Sequence, residues 1–112
     1  MTEVTFYRNK AEDIQGFRVE GHAGYAEEGE DIVCSAISAL VFNAINSITE
    51  LAGDEPDVDI DDDEEEPFID VNFFEEPSGK AQLLLQSLLL GLSSIESDKE
   101  TSEFIQIVFE EV

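Results

Sequence analysis

The chain contains one histidine, His22, and one cysteine, Cys34, separated by a stretch rich in glycine and carboxylates. An imidazole and a thiol within hydrogen-bond reach of each other can activate a nucleophile for acyl transfer. Because the chain holds no other histidine or cysteine, any such dyad consists of these two residues. The alternative is a packed, unreactive thiol and a solvated histidine, and the residue types alone do not separate the two interpretations.

The elements that would position this pair follow from the spacing of apolar residues. Alternating apolar residues predict five strands, and a spacing of three and four predicts two amphipathic helices. We expect strands over 3–8, 14–22, 57–61, 68–74 and 103–111, and helices over 31–51 and 78–97. The order ββαββαβ indicates an α+β fold in which one mostly antiparallel sheet packs against two helices. Residues 1–112 are expected to form a single domain.

The start of the first helix bears directly on the cysteine. Asp31 is a typical N-cap, and Gly53 is a typical stop after the last apolar residue of the stripe, Leu51. With this cap, Cys34 is the third helical residue and lies in the first turn. The unpaired backbone N–H groups and the helix dipole there favour a thiolate, the reactive form of cysteine.

The second predicted helix and the closing strand both carry apolar residues on more than one side. Leu83 and Leu90 face away from the main stripe of the helix, which therefore must be covered on a second side. The closing strand over 103–111 is apolar on both faces, which predicts a central position in the sheet or a subunit contact. These features predict that a second copy of the chain covers part of the surface.

Charge restricts the class of partner. The chain has 28 acidic and 5 basic residues and a formal net charge of −23, so direct binding to nucleic acid is not expected. The same charge attracts a basic partner or serves solubility alone. Ten carboxylates lie within residues 54–66, but they lack the spacing of a calcium-binding loop, so we interpret this segment as a solvated hairpin and predict no metal site.

Targeting signals are not apparent in the sequence. The first ten residues contain no apolar segment typical of a signal peptide, and the leucine-rich run is short for a membrane span. A single cysteine is typical of a reducing compartment. We therefore expect a cytoplasmic protein without membrane association.

The stretch GHAGYAEEGEDIVCSAIS resembles the signature of the bacterial ribosomal-processing cysteine protease family, called Prp. Residues 21–23 correspond to the Gly-His-Ala segment of that family. Residues 29–34 correspond to its Gly-x-Asp-Ile-Val-Cys segment, which opens a helix. The chain is also similar to the family in length and element order.

The resemblance implies a homodimeric, cofactor-free protease that removes a short N-terminal extension from one protein of the large ribosomal subunit, supporting ribosome assembly. It makes Cys34 the nucleophile and His22 its base, while Asp31 either orients the histidine or caps the helix. The alternative that we keep open is a non-catalytic acidic dimer that binds a basic ribosomal protein or assembly factor.

The glycine-rich loop has a role in the first of these interpretations. We expect it to open for an extended peptide and to place His22 against Cys34 when it closes. The glycines that would permit this motion are Gly21, Gly24 and Gly29.

Overall fold

The computed structural model describes residues 1–21, 30–62 and 66–112, with only the backbone of Glu30 and Asp31. Within these ranges the elements follow the predicted order ββαββαβ. The strands are β1 (Thr2–Arg8), β2 (Ile14–Glu20), β3 (Asp57–Asp61), β4 (Phe68–Asn72) and β5 (Ile105–Glu111). The helices are α1 (Glu30–Ser47) and α2 (Gly79–Ser97). A π-helical turn over Ile48–Ala52 continues α1, and a 3-10 turn over Ser102–Phe104 precedes β5.

The strands form one sheet in the order β3-β4-β2-β1-β5. The pairs β1–β2, β2–β4 and β3–β4 are antiparallel, and only β1 and β5 run parallel. The predicted α+β fold, a mostly antiparallel sheet with two helices, is therefore confirmed. Because β2 and β3 run opposite to β1 and β4, the start of β1, the end of β2, the end of β3 and the start of β4 meet at one end of the sheet.

The core lies between the sheet and the two helices. Alternate strand residues point into it and are completely buried: Val4, Phe6, Phe17 and Val71. The helices contribute buried residues at the spacing of three and four that is typical of an amphipathic helix: Val33, Ile37, Val41, Ala44 and Ile48 from α1 and its π-helical turn, and Ala81, Leu85, Leu88 and Leu92 from α2. Burial of one such leucine or isoleucine side chain contributes roughly 1.5–3 kcal/mol.

The first helix departs from its predicted bounds at both ends. It begins at Glu30, so Asp31 is its second residue and the predicted N-cap role of Asp31 is wrong. Gly53 ends the helical segment in a left-handed conformation, as predicted, and donates its N–H to the carbonyl of Ile48. Leu51 is exposed, contrary to prediction, because a π-helical turn adds a residue per turn and rotates the stripe away from the core.

The second helix is tied to the sheet by two polar side chains. The Gln82 amide accepts a hydrogen bond from the Ile14 N–H at 2.7 Å and donates one to the Ile14 carbonyl at 2.9 Å. Glu96 accepts one from the N–H of Ile107 at 2.6 Å. Ser78, predicted as the first residue of the helix, instead caps it by accepting from the N–H of Ala81 at 3.1 Å. These bonds fix the helix above β2 and β5.

The closing strand β5 lies at an edge of the sheet and pairs with β1 alone among the described strands. The predicted central position is therefore wrong. The reason is that α2 covers the core-facing residues of β5, and the Glu96 carboxylate accepts a hydrogen bond from the Ile107 N–H. The strand is therefore packed on its core face without a second neighbouring strand. The alternative of a subunit contact stays a prediction.

Residues Ile32–Ala52 are long and apolar enough to span a membrane by length and composition, with a mean hydropathy of 1.7. A core helix passes the same test. Here Val33, Ile37, Val41 and Ile48, which raise this hydropathy, are buried against the sheet and α2. Packing therefore accounts for the buried 28% of the segment, whereas Ile32 and Leu51 stay exposed.

Candidate active site

Cys34 is the fifth residue of α1 and lies one residue beyond its first turn. The expectation that it would be the third helical residue is wrong, because the helix begins at Glu30 and not after Asp31. By helix geometry its own N–H is directed to the carbonyl of Glu30. The Cα–Cβ bond of a helical residue tilts toward the N-terminus, so the thiol still lies over the first turn. The N–H groups without intrahelical acceptors belong to the residues before it.

The thiol contacts the first strand. Cys34 Sγ lies 3.9 Å from Oγ1 of Thr2, a weak hydrogen-bond distance for sulfur, and either atom can be the donor. Thr2 shares the core-facing side of β1 with Val4 and Phe6 and is only 4% exposed. The cysteine itself is half-buried. Burial of the threonine therefore holds a hydroxyl against a partly accessible sulfur.

A groove of about 210 Å³ contains the thiol. One wall is α1, which contributes Cys34, Ser38 and Phe42 from successive turns. The other wall is the end of the sheet at which four strands meet. It includes Thr2 of β1, Val19 of β2, Ile60 of β3 and Ile69 of β4. A largely apolar groove beside a nucleophile suits an extended peptide with apolar side chains.

Gly21 forms part of the same groove, directly after β2. Its φ of +79° belongs to the left-handed region, and a Cβ built on it would lie 2.8 Å from the carbonyl oxygen of Met1. Only glycine fits both conditions without strain. Gly21 thus brings the end of β2 close to Met1 in the groove that also contains Cys34.

The remaining predicted site residues lie partly or wholly outside the residues that the structure describes. His22, Gly24 and Gly29 fall outside the described residues, so the His22–Cys34 pair and the loop motion stay predictions. The side chain of Asp31 is also outside, and its role as a supporting group stays a prediction as well. Among the predicted site residues that the structure describes, Gly21 and Cys34 line the same groove.

The charges at the groove are acidic. Asp61 and Asp62 line it next to Ile60, and no lysine or arginine of the described chain does. Arg18 lies nearby on the opposite face of the sheet, where it binds Glu20 at 3.1 Å and Asp70 at 3.2 Å. Its guanidinium also stacks 4.2 Å above the ring of Phe68, which lines the groove. A cationic substrate would therefore meet carboxylates at the end of β3.

Several residues of the groove were not predicted. Thr2 was missed because it precedes the predicted first strand. It alternates with Val4 and Phe6, and a polar residue on such an apolar face is a signal in the sequence that could have indicated it. Phe42 and Ile60 gave no local signal, because each reads as an ordinary apolar residue of its own element. Their presence in one groove depends on how α1 packs on the sheet.

Known proteins give the site its context. The family model described as cysteine protease Prp matches residues 1–106. The ribosomal processing cysteine protease Prp of Bacillus subtilis (strain 168) is 37% identical over 100 residues, which cover 88% of this chain and 89% of that protein.

Two solved structures of the essential ribosomal processing protease Prp from S. aureus share the fold. The complex with a substrate peptide has a TM-score of 0.87 at 30% identity, and the complex with a covalently linked product peptide has 0.84 at 31%. Both matches cover 98% of this chain and 100% of the other. The matches in sequence and in fold extend over nearly the whole chain, and it belongs to the cysteine protease Prp family, whose members hydrolyse peptide bonds.

Proposed function

We propose that this protease removes the N-terminal extension of a protein of the large ribosomal subunit, with Cys34 as nucleophile and His22 as general base. The observation that carries the proposal is the half-buried thiol of Cys34 at the wall of a groove that is open to an extended peptide. Family membership favours this function over a non-catalytic acidic binding protein. Removal of the extension would support assembly of the ribosome.

The position of Gly21 supports His22 as the base. Gly21 lines the groove together with Cys34, and His22 is the next residue of the chain. The base that we propose is therefore adjacent in sequence to a residue that lines the groove of the thiol. The sequence contains no other histidine, so His22 is the one imidazole that can act as the base.

The reaction follows from these two groups. The imidazole of His22 takes the proton of the Cys34 thiol, and the thiolate attacks the carbonyl carbon of the scissile peptide bond. As the C–N bond breaks, the imidazolium gives its proton to the leaving amine. A thioester remains on Cys34, and water activated by the imidazole hydrolyses it. The S. aureus relative has been solved with a covalently linked product peptide, which is in keeping with nucleophilic catalysis in the family.

The first turn of α1 supplies the donors for the oxyanion. Backbone N–H groups at the start of a helix have no intrahelical acceptors and carry partial positive charge. The Cys34 thiol lies over this turn, so an oxyanion formed beside the sulfur would be within reach of those groups. Donors of this kind stabilise the tetrahedral intermediate.

The charge of the chain supports a basic substrate. A net charge of −23 attracts a basic ribosomal protein over the range of the Debye length, about 8 Å at physiological ionic strength. Asp61 and Asp62 bring part of this charge to the groove itself. We place the reaction in the cytoplasm, where a reducing environment keeps a catalytic thiol free.

The exposed face of α2 supports a homodimer. Leu83 and Leu90 are exposed within one chain, on the side of the helix away from the core. Replacement of both by serine should convert a dimer to a monomer in sedimentation at micromolar concentration. Serine at Leu51, another exposed leucine, should leave the dimer intact. A wild-type monomer would contradict the proposal.

Cleavage tests the function itself. The wild-type protein is incubated with precursor forms of large-subunit ribosomal proteins, and the products are identified by mass spectrometry. We expect one precursor to lose its N-terminal extension. Cys34→Ala and Cys34→Ser should abolish cleavage while the melting temperature stays unchanged, and His22→Ala should lower the rate by at least about 100-fold. Full activity of either cysteine variant would end the proposal.

A further inference from the structure

Thr2 places a hydroxyl on a face of β1 that is otherwise apolar. Val4 and Phe6, which follow on the same face, are completely buried, and Thr2 itself is only 4% exposed. Across the parallel pair Thr2 lies opposite Ile105 of β5, which is buried as well. A hydroxyl removed from water in this way costs free energy unless it forms a hydrogen bond. Its Oγ1 finds such a partner in Cys34 Sγ, 3.9 Å away.

The bond between Oγ1 and Sγ depends on the protonation state of the sulfur. With a neutral thiol, either atom can be the donor. A thiolate has no proton to give, so the hydroxyl of Thr2 must then donate. Hydrogen bonds to an ionised acceptor are shorter and stronger than those between neutral groups, and a bond that strengthens on ionisation favours the charged form. The contact therefore favours the thiolate over the thiol.

The other ionisable groups of the groove act in the opposite direction. Besides Cys34, the titratable residues that line it in the described chain are Asp61 and Asp62 at the end of β3, and the lining residues from α1, β1, β2 and β4 are otherwise uncharged. Two carboxylates disfavour a further negative charge nearby. A hydroxyl can stabilise a thiolate in this setting without adding a cation, which would repel a basic substrate.

We propose that Thr2 is a positioning residue of the active site, whose hydroxyl donates a hydrogen bond to the Cys34 thiolate and holds the sulfur in the groove. Both residues line this groove. The branched Cβ of threonine restricts χ1, so packing against the core fixes the direction of Oγ1. The hydroxyl keeps its proton throughout, and the proton of the thiol still goes to His22. This inference rests on the proposed role of Cys34 as nucleophile.

The pH dependence of alkylation tests the donor. The single cysteine of the full chain reacts with iodoacetamide whether or not a peptide is cut, and intact mass gives the rate between about pH 4 and pH 9. In Thr2→Val we expect the rising limb of the profile to lie about 0.5 pH unit higher than in the wild type, a threefold lower rate on that limb. The plateau rate at high pH should change by less than about twofold, because the sulfur is ionised there in both proteins.

Further variants separate the hydrogen bond from packing. Thr2→Ser keeps the hydroxyl but removes a methyl group, and it should return the limb to within about 0.2 pH unit of the wild type. Thr2→Ala removes the hydroxyl with less bulk and should shift the limb as Thr2→Val does. Thr5→Val alters the other buried threonine of β1 and should leave the profile unchanged. An unshifted limb in both variants without the hydroxyl, or a shift that Thr2→Ser does not reverse, would overturn the proposal.

The same measurement in a His22→Ala background separates this inference from the proposed function. Because the hydroxyl acts on the sulfur directly, Thr2→Val should shift the profile of His22→Ala by about the same 0.5 pH unit. A shift in both backgrounds would support the donor even if no peptide were cut. Superimposable profiles of Thr2→Val and the wild type, together with cleavage by the wild type, would overturn the donor and leave proteolysis in place. A shift that requires His22 would also overturn it, since Thr2 would then act through the imidazole.

Discussion

The two ends of β2 connect to the rest of the chain in different ways. At one end residues 9–13 join it to β1 in a turn that satisfies its own polar groups. The Asn9 side chain accepts hydrogen bonds from the N–H groups of Ala11 and Asp13 at 2.9 and 3.0 Å, and its backbone N–H donates to the carbonyl of Asp13 at 3.0 Å. At the other end Gly21 directly follows β2 and lines the groove that contains Cys34.

The difference indicates that one end of β2 is stabilised by hydrogen bonds within its turn, whereas the other end borders the groove of the candidate active site. Asn9 closes its turn with local bonds, so that end needs no contact with a ligand. The Gly21 end instead borders a groove, and its glycine brings the backbone close to Met1. We therefore expect substitutions at the groove end to change cleavage and substitutions in residues 9–13 to change stability alone.

Gly21→Ala should have the largest effect in this comparison. A Cβ at Gly21 would lie 2.8 Å from the Met1 oxygen, at a φ of +79°, so the backbone must shift. Because small displacements of catalytic groups cost up to about 100-fold, we expect kcat/KM to fall by roughly 10- to 100-fold. The strain should also lower the free energy of unfolding by about 1–3 kcal/mol. Wild-type kinetics in a folded variant would contradict the role of this turn.

Asn9→Ala tests the opposite end. It removes the acceptor of two backbone N–H groups, which should lower the free energy of unfolding by about 1 kcal/mol in urea denaturation. The value of kcat/KM should not change, since the turn is at the far end of β2. Asn9→Asp keeps an acceptor and serves as the control. A tenfold loss of activity in Asn9→Ala would remove the distinction between the two ends.

Thr2→Val examines the hydroxyl beside the Cys34 thiol. The variant keeps the shape of a buried residue but removes the contact of Oγ1 with Cys34 Sγ at 3.9 Å. We expect kcat/KM to fall about threefold, the effect of a weak hydrogen bond, and Thr2→Ser to restore it. Thr5→Val changes the other buried threonine of β1 and should have no effect on cleavage. Equal effects of both valine variants would indicate a structural cause.

Asp61→Asn with Asp62→Asn should have the smallest effect. Loss of two carboxylates at the groove should raise KM for a basic substrate about twofold at low salt, with kcat unchanged. The difference should vanish at high salt, where exposed charges are screened. Asp57→Asn with Asp59→Asn, on the same strand but outside the groove, is the matched control. A change that persists at high salt would argue against electrostatic attraction.

The sequence predicted the elements better than the way in which they meet. The stripe from Val33 to Ile48 and the alternation of Val4 with Phe6 are local patterns, and the structure buries these residues as expected. The exposed Leu51 was missed because a π-helical turn changes the rotation per residue without a sequence signal.

The candidate site was predicted only in part for the same reason. Cys34 is the only cysteine of the sequence and ends the Gly-x-Asp-Ile-Val-Cys motif of residues 29–34, so it could be found from the sequence. The edge position of β5 could not, because a strand that is apolar on both faces fits several places in a sheet. The presence of Phe42 and Ile60 in one groove depends on how α1 and the sheet pack together, which no local pattern encodes.

Alkylation of Cys34 across pH tests the central claim, that a histidine activates this thiol. Each iodoacetamide adduct observed by intact mass lies at Cys34, because the chain has one cysteine. We expect the wild-type rate at pH 6 to remain within a few-fold of its rate at pH 8. In His22→Ala the rate at pH 6 should fall to a small fraction of its rate at pH 8, because no imidazole takes the proton of the thiol. Profiles that superimpose would contradict the account.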